Sequence, residues 1–391
     1  MRIALTTNLF SPIQTGTAHY TRELAQNLVQ AGHHVIVITC NLDATFHEEI
    51  LDGYRVFKLP SFHLPVSKIT FGFEQFYLGY IPGNSRRIEE ILNQEQIELV
   101  HQCGHLLDLN YLIPRVCKRL KISAVCSIHT IIHYPGNKLI DKLMKLIDKT
   151  FVNWFSISHY KTLIALDAEV ARYADERYQH SDVRIVPLCL DSTILEYPSA
   201  NLVDEAPIFK ILSVGHVTSM RHRLDLIRSV GYLREEGIAA ELTIVGKILE
   251  LAPVKLAQEM GLDEVVHFVG EMPRAQIMEY AREFHVEAHW ITIPALGTAI
   301  LEAMALGLPA VTFGYPGIQG DAPLEDGENI IFIKPGDIEY IAGRLAPLAL
   351  SPSLRVSIGE KGQALVRDYL TWANVINHFE IIYSELIASQ K

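Results

Sequence analysis

The sequence predicts two doubly wound α/β domains facing each other across a cleft. Three observations carry this expectation. At 391 residues the chain exceeds the roughly 250–300 residues at which one core usually splits. A strand–loop–helix–strand cadence runs through both halves. Between them, Asp191 to Pro207 (DSTILEYPSANLVDEAP) is polar, irregular and proline-flanked, as a boundary should be.

The elements follow in order. Ile3-Ala4-Leu5 reads as a short buried strand, followed by the loop SPIQTGTAHY with Gly16 near its end. Tyr20 to Gln30 carries Leu24 and Leu28 at helical spacing and stops at Gly32, a normal C-terminal signal. His34 to Thr39 is a continuous apolar strand of the parallel-sheet kind. Leu99-Val100-His101, Ala124 to His129 and Trp154 to Ile157 are further strand candidates. The second half restarts with ILSVG, LTIVG and VHFVG, each ending in glycine (Gly215, Gly246, Gly270). A glycine there permits a tight turn and close ligand approach, and ligands of open α/β sheets bind at that edge. Glycine-ended strands are also common in structural turns.

Composition excludes several classes. A net charge of -11 disfavours general nucleic-acid binding, because a phosphate backbone would be repelled. The five cysteines are scattered and never form a CxxC pair, which argues against a disulfide framework or a zinc site. The N-terminus MRIALTTNLF lacks the pattern of a signal peptide, and no run approaches 18 apolar residues. A cytoplasmic chain with no metal is expected.

The stretch PALGTAILEAMALGLPAV, Pro294 to Val311, has one charged residue, Glu302. Thr298 suits an N-cap, and Gly297 removes side-chain bulk in front of it. Free amides of Ala299 and Ile300, with the positive end of the helix dipole, would seat a phosphate. Glu302, one turn on, can accept hydrogen bonds from sugar hydroxyls. The alternative is an ordinary capped core helix with Glu302 solvated at its edge.

LEAMALGLPAV resembles the glutamate-helix signature of GT-B glycosyltransferases, specifically the large retaining family 4. HQCGHLLDLNYLIP followed by SAVCSIHT, then RIVPLCLD, LTIVG, VHFVGEMP and PGDIEYIAGRLAPLALSPSLRVSIGEKG resemble that family's motifs in order. The resemblance implies two Rossmann-like domains. Residues 1–190 would form the acceptor-side domain, 191–206 a linker and 207–371 the nucleotide-sugar domain, with a helix over 372–391 packing back on the first. It also implies a UDP- or GDP-sugar as co-substrate, without a cofactor, and transfer with retention. Glu302 would take the ribose hydroxyls and the amides of Thr298, Ala299 and Ile300 the diphosphate. Gly16 and Thr17 match the glycine-rich loop over the diphosphate, Met272 the base-contacting loop, and His129 the histidine near the transferred sugar. A strand-end histidine bonded to backbone is the other reading of His129. The diphosphate clamp "G-R … K-G" reads Gly215-His216 and Arg221-His222. Arg221 keeps a cation suited to phosphate, while His216 is charged only in part at neutral pH. The family's second glutamate, eight positions before Glu302, is Pro294. This departure leaves a second reading open, a non-catalytic homologue acting as partner subunit or nucleotide-sugar-binding protein.

Residues 137–155, NKLIDKLMKLIDKTFVNWF, place Lys138, Lys142, Lys145 and Lys149 at helical spacing, with leucines largely on another face. Such a helix either lies on an anionic leaflet, peripheral on the inner membrane face, or packs on the core with a solvated lysine face. Lys68 to Phe73 (KITFGF) adds an apolar loop suited to an acceptor groove.

Overall fold

The computed structural model describes residues 1–13, 15–43, 45–65, 76–132, 138–202 and 208–390. The chain forms two compact units, Met1–Pro187 with Ile376–Lys391, and Leu188–Val375. The KITFGF loop, Asn137 and the end of the expected linker (203–207) lie outside the described residues.

The first unit is built on an eight-stranded sheet. Its strands are β1 (Arg2–Thr7), β2 (His34–Cys40), β3 (His47–Leu51), β4 (Tyr54–Leu59), β7 (Leu99–Cys103), β8 (Ser123–Ile128), β9 (Thr162–Ala165) and β10 (Val183–Ile185), with β5 (Phe62–Leu64) and β6 (Phe76–Leu78) forming a separate hairpin. The order is β10-β9-β8-β7-β1-β2-β4-β3, and every pair is parallel except β3–β4. The central strands are buried on both faces, which is why they read as unbroken apolar runs.

Two expectations are corrected here. The first helix spans Gly16–Gln30 rather than starting at Tyr20, because the Thr15 side chain accepts from the Ala18 amide and caps it early. Gly16 and Thr17 are therefore helical. Trp154 to Ile157 is not a strand. Residues Asp148–Val152 form a π-helical turn, followed by the short helices Asn153–Phe155 and Ile157–His159. Asp148 anchors that turn in the core, accepting from Tyr173 Oη (2.5 Å) and Tyr178 Oη (2.6 Å).

The second unit holds a six-stranded, wholly parallel sheet of β11 (Phe209–Val214), β12 (Ala240–Val245), β13 (Val266–Gly270), β14 (Val286–Ala288), β15 (Ala310–Phe313) and β18 (Ile331–Ile333), with β16 (Gly317–Gln319) and β17 (Ala322–Leu324) as a hairpin. Its order, β13-β12-β11-β14-β15-β18, reverses between β11 and β14, the usual Rossmann-like switch point. Two apolar clusters cover the sheet, one including Leu212, Ile300 and Met304, the other Ile211, Ile244 and Val286. On the helix Pro352–Tyr369, Gly359 lies against Gly307, whose carbonyl a Cβ at 359 would strike, with Leu202 Cδ1 2.9 Å away on the other side. Gly359→Ala should therefore lower the melting temperature of this unit by about 2–12 °C, from roughly 1–3 kcal/mol of overpacking, as read by differential scanning calorimetry.

Candidate functional site

The switch point of the second sheet concentrates charge. Gly215 follows β11 with φ 127° and Gly246 follows β12 with φ 149°. A side chain on Gly246 would come within 2.5 Å of the Gly215 carbonyl, so that peptide crosses directly over it. A Cβ on Gly215 would in turn meet Arg221 Nη1 at 2.5 Å and Cζ at 2.6 Å. The Arg221 guanidinium thus rests against bare backbone, and among the described residues nothing accepts a hydrogen bond from it. Burial lowers its pKa, with Glu287 opposing, yet a guanidinium stays charged.

Beneath it lies Arg223, 1% exposed. It donates to the Gly215 carbonyl at 3.0 Å and to Ser213 Oγ. Burial first, and then the Arg221 charge, push its pKa down to about 9, while Glu287 pulls the other way. Glu287, fully buried on β14, accepts from the Val214 amide at 3.0 Å and lies 3.2 Å from His289 Nδ1. Among the described residues its Oε2 has no hydrogen-bond partner. His289 Cε1 and Nε2 stand 3.6 Å from the Cβ position of Gly297. Arg221 rests on Gly215, whose carbonyl Arg223 holds, and Glu287, bonded to the adjacent Val214 amide, leads through His289 to the start of the Thr298–Ala305 helix.

At that helix start three expectations change. The N-cap is Gly297, not Thr298, and no side chain caps it. The Ile300 amide is not free, because it donates to the Gly297 carbonyl at 3.1 Å. The amides of Thr298 and Ala299 are left without intrahelical acceptors. Glu302 is neither at a solvated edge nor alone, since it is buried and accepts from Arg274 Nε at 2.5 Å. Pro294 opens a loop held at Ala295, whose amide donates to the Phe313 carbonyl at 3.2 Å. Met272 is half-buried against the apolar cluster that contains Ile300. His216 is exposed, and its Nδ1 accepts from the Lys247 amide at 3.2 Å. The Glu271 carboxylate is 3.8 Å from the same nitrogen. His222 adopts φ 39°, a left-handed conformation that suits the glycine of the resembled clamp.

In the first unit, His129 directly follows β8. Its Nε2 is 2.7 Å from Ser127 Oγ and its Nδ1 3.3 Å from Thr17 Oγ1, with the Tyr20 ring edge-on at 4.5 Å. The partners are thus two hydroxyls rather than backbone. Burial, with a smaller effect of His105, lowers its pKa to about 3, so the ring is neutral. Thr17 also packs on Gly104, after β7. Among the described residues no three His, Cys, Asp or Glu side chains gather to hold a metal ion.

Sequence reasoning missed Arg274, Arg223, Glu287 and His289. A signal was present for the last two: ionisable residues two apart on an apolar strand share one face, and burial obliges them to find partners.

The sequence pattern described as Glycosyltransferase Family 4 matches residues 15–193, and that of Glycosyl transferases group 1 matches 200–365. An uncharacterized glycosyltransferase of Haemophilus influenzae is 22% identical over 90% of this chain and 92% of its own. The alpha-monoglucosyldiacylglycerol synthase of Streptococcus pneumoniae is 24% identical over 81% of this chain and 72% of its own. Among solved structures, Anabaena HepE in complex with UDP is similar with a TM-score of 0.71 at 16% identity, covering 98% of this chain and all of that one. With both sequence patterns matched in order and two Rossmann-like sheets beneath them, the chain belongs to the family 4-like GT-B glycosyltransferases.

Proposed function

We propose that the protein moves a sugar from a nucleotide-diphosphate sugar, UDP- or GDP-linked, to a lipid or glycan acceptor at the inner face of a membrane, with retention. The observation that carries the donor reading is the unpaired Arg221 guanidinium at the switch point, together with a helix start with free amides. Fixed donors of this kind stabilise charge that grows on a leaving diphosphate. Glu302, held by Arg274, takes the ribose hydroxyls, and Met272 lies beside the base. Gly16 and Thr17 serve the diphosphate and the neutral His129 the transferred sugar, and no metal takes part. In the front-side reaction the bond from the anomeric carbon to the β-phosphate oxygen breaks. The acceptor oxygen bonds on the same face, and its proton passes to that phosphate oxygen. The protein contributes positioning and charge stabilisation.

Support for a membrane acceptor comes from the helix Lys138–Ile147, which buries none of its residues. Leu139 is 77% exposed, and Leu143, Leu146, Phe151 and Trp154 (71%) are exposed with it. Lys138, Lys142, Lys145 and Lys149 accompany them. Asp148 does not dilute this charge at the surface, because it is buried, and Asp141 pairs with Lys145 at 2.7 Å. The lipid named for the Streptococcus relative agrees with this reading. No helix among the described residues is long and apolar enough to cross a membrane. Pro294, where the family carries a glutamate, keeps a partner-subunit role as the second reading.

Purified protein incubated with UDP-, GDP- and ADP-sugars should release nucleotide from one of them. Release from none, with nucleotide still bound, would favour the partner-subunit reading.

Arg221→Ala should weaken the nucleoside diphosphate by about 10–100-fold, from roughly 1.5–3 kcal/mol of charge-assisted hydrogen bonding, and leave the nucleoside nearly unaffected. Titration calorimetry with both ligands checks this, and equal losses would contradict it.

The protein should cosediment with phosphatidylglycerol vesicles and much less with phosphatidylcholine. The double substitution Leu143→Asp, Trp154→Ser should reduce binding at least about tenfold, because buried apolar area and lysine charge act together. Unchanged sedimentation would remove the membrane surface from this helix.

A further inference from the structure

The start of the Thr298–Ala305 helix offers hydrogen-bond donors. A sugar hydroxyl also needs an acceptor, and Pro294 supplies no side-chain one. His289 does. Glu287 Oε1 accepts from the Val214 amide and lies 3.2 Å from His289 Nδ1. A carboxylate there requires the proton on Nδ1, which leaves the lone pair on Nε2. The ring is 5% exposed, Nε2 has no hydrogen-bond partner among the described residues, and it stands beside Gly297. We infer that His289, its tautomer fixed by Glu287, accepts through Nε2 a hydroxyl hydrogen of the sugar seated at this helix start, in place of the carboxylate missing at Pro294. The inference rests on the nucleotide-sugar reading of the site.

The surroundings favour a hydroxyl over a phosphate oxygen in this place. A bare lone pair repels an oxyanion. Burial first, and then the Arg223 and Arg221 charges, oppose a second proton on the ring against the pull of Glu287, and its pKa is lowered. The diphosphate is left to Arg221 and the amides, and the sugar to His289.

The test compares a nucleotide with its sugar ester. Wild type is titrated with UDP and UDP-glucose, GDP and GDP-mannose, and ADP and ADP-glucose, and the pair that binds is retained. His289→Asn keeps an amide near Nδ1, within reach of Glu287, but places no acceptor at Nε2. His289→Gln carries an amide oxygen to the Nε2 position. The expected result is a loss of about tenfold or more for the sugar ester in the Asn variant. The bare nucleotide should hold within about twofold, and the Gln variant should recover most of the difference. Losing both ligands equally, or neither, overturns the assignment. Should the Asn variant not fold, wild type labelled with 15N-histidine decides. The His289 Nε2 resonance should move with the sugar ester and not with the nucleotide, and no selective movement overturns the inference. Binding of none of the six ligands would bring down the donor reading and this one together. Bound nucleotide with a sugar-insensitive His289 would bring down this one alone.

Discussion

Arg223 and Glu287 are a guanidinium and a carboxylate taken almost wholly out of water at the point where the second sheet reverses its strand order. Neither would tolerate that position alone, since an uncompensated buried charge is strongly destabilising. Together they bind the backbone where β11 ends. Arg223 holds the Gly215 carbonyl after β11, and Glu287, on β14, holds the Val214 amide. The turn after β11 is thereby fixed in a left-handed path that glycine alone adopts readily. The Arg221 guanidinium lies against that turn, so its placement follows from the buried charges rather than from a partner of its own. His289 is oriented by the same carboxylate.

The first unit uses histidines differently. His101 and His105 are buried and His129 is half-buried, and their pKa values are lowered to about 3, 4 and 3, chiefly by burial. Each is a neutral ring at physiological pH, and His129 is held between two hydroxyls.

Much of the fold was legible because parallel strands buried on both faces leave continuous apolar runs, as in His34 to Thr39. The glycines closing β11, β12 and β13 marked the carboxyl edge of the second sheet. The failures were also local. Four apolar and aromatic residues, Trp154 to Ile157, do not distinguish strand from helix, and what decides there is the burial of Asp148 by tyrosines some 25 and 30 residues away. Thr15 is a residue type suited to capping a helix, and its side chain accepts from the Ala18 amide. The Arg274–Glu302 pair spans 28 residues, and no periodicity links such positions. Glu287, on β14, and His289, just past it, are ionisable residues in an apolar stretch, and only the fold shows which partners they meet.

The helix Trp372–Ala388 ends the chain's path through the second unit and completes the first. Phe379 and Tyr383 are fully buried, Tyr383 Oη is 2.6 Å from His101 Nδ1, and Ser123 Oγ donates to the Leu386 carbonyl. During synthesis, then, the Met1–Pro187 segment leaves the ribosome lacking part of its own core. It must wait while the whole of the second unit is made, a delay of roughly 10–40 s at ordinary elongation rates. The unit translated second is the first that can close its core, so the usual N-to-C order of domain maturation is inverted in this chain.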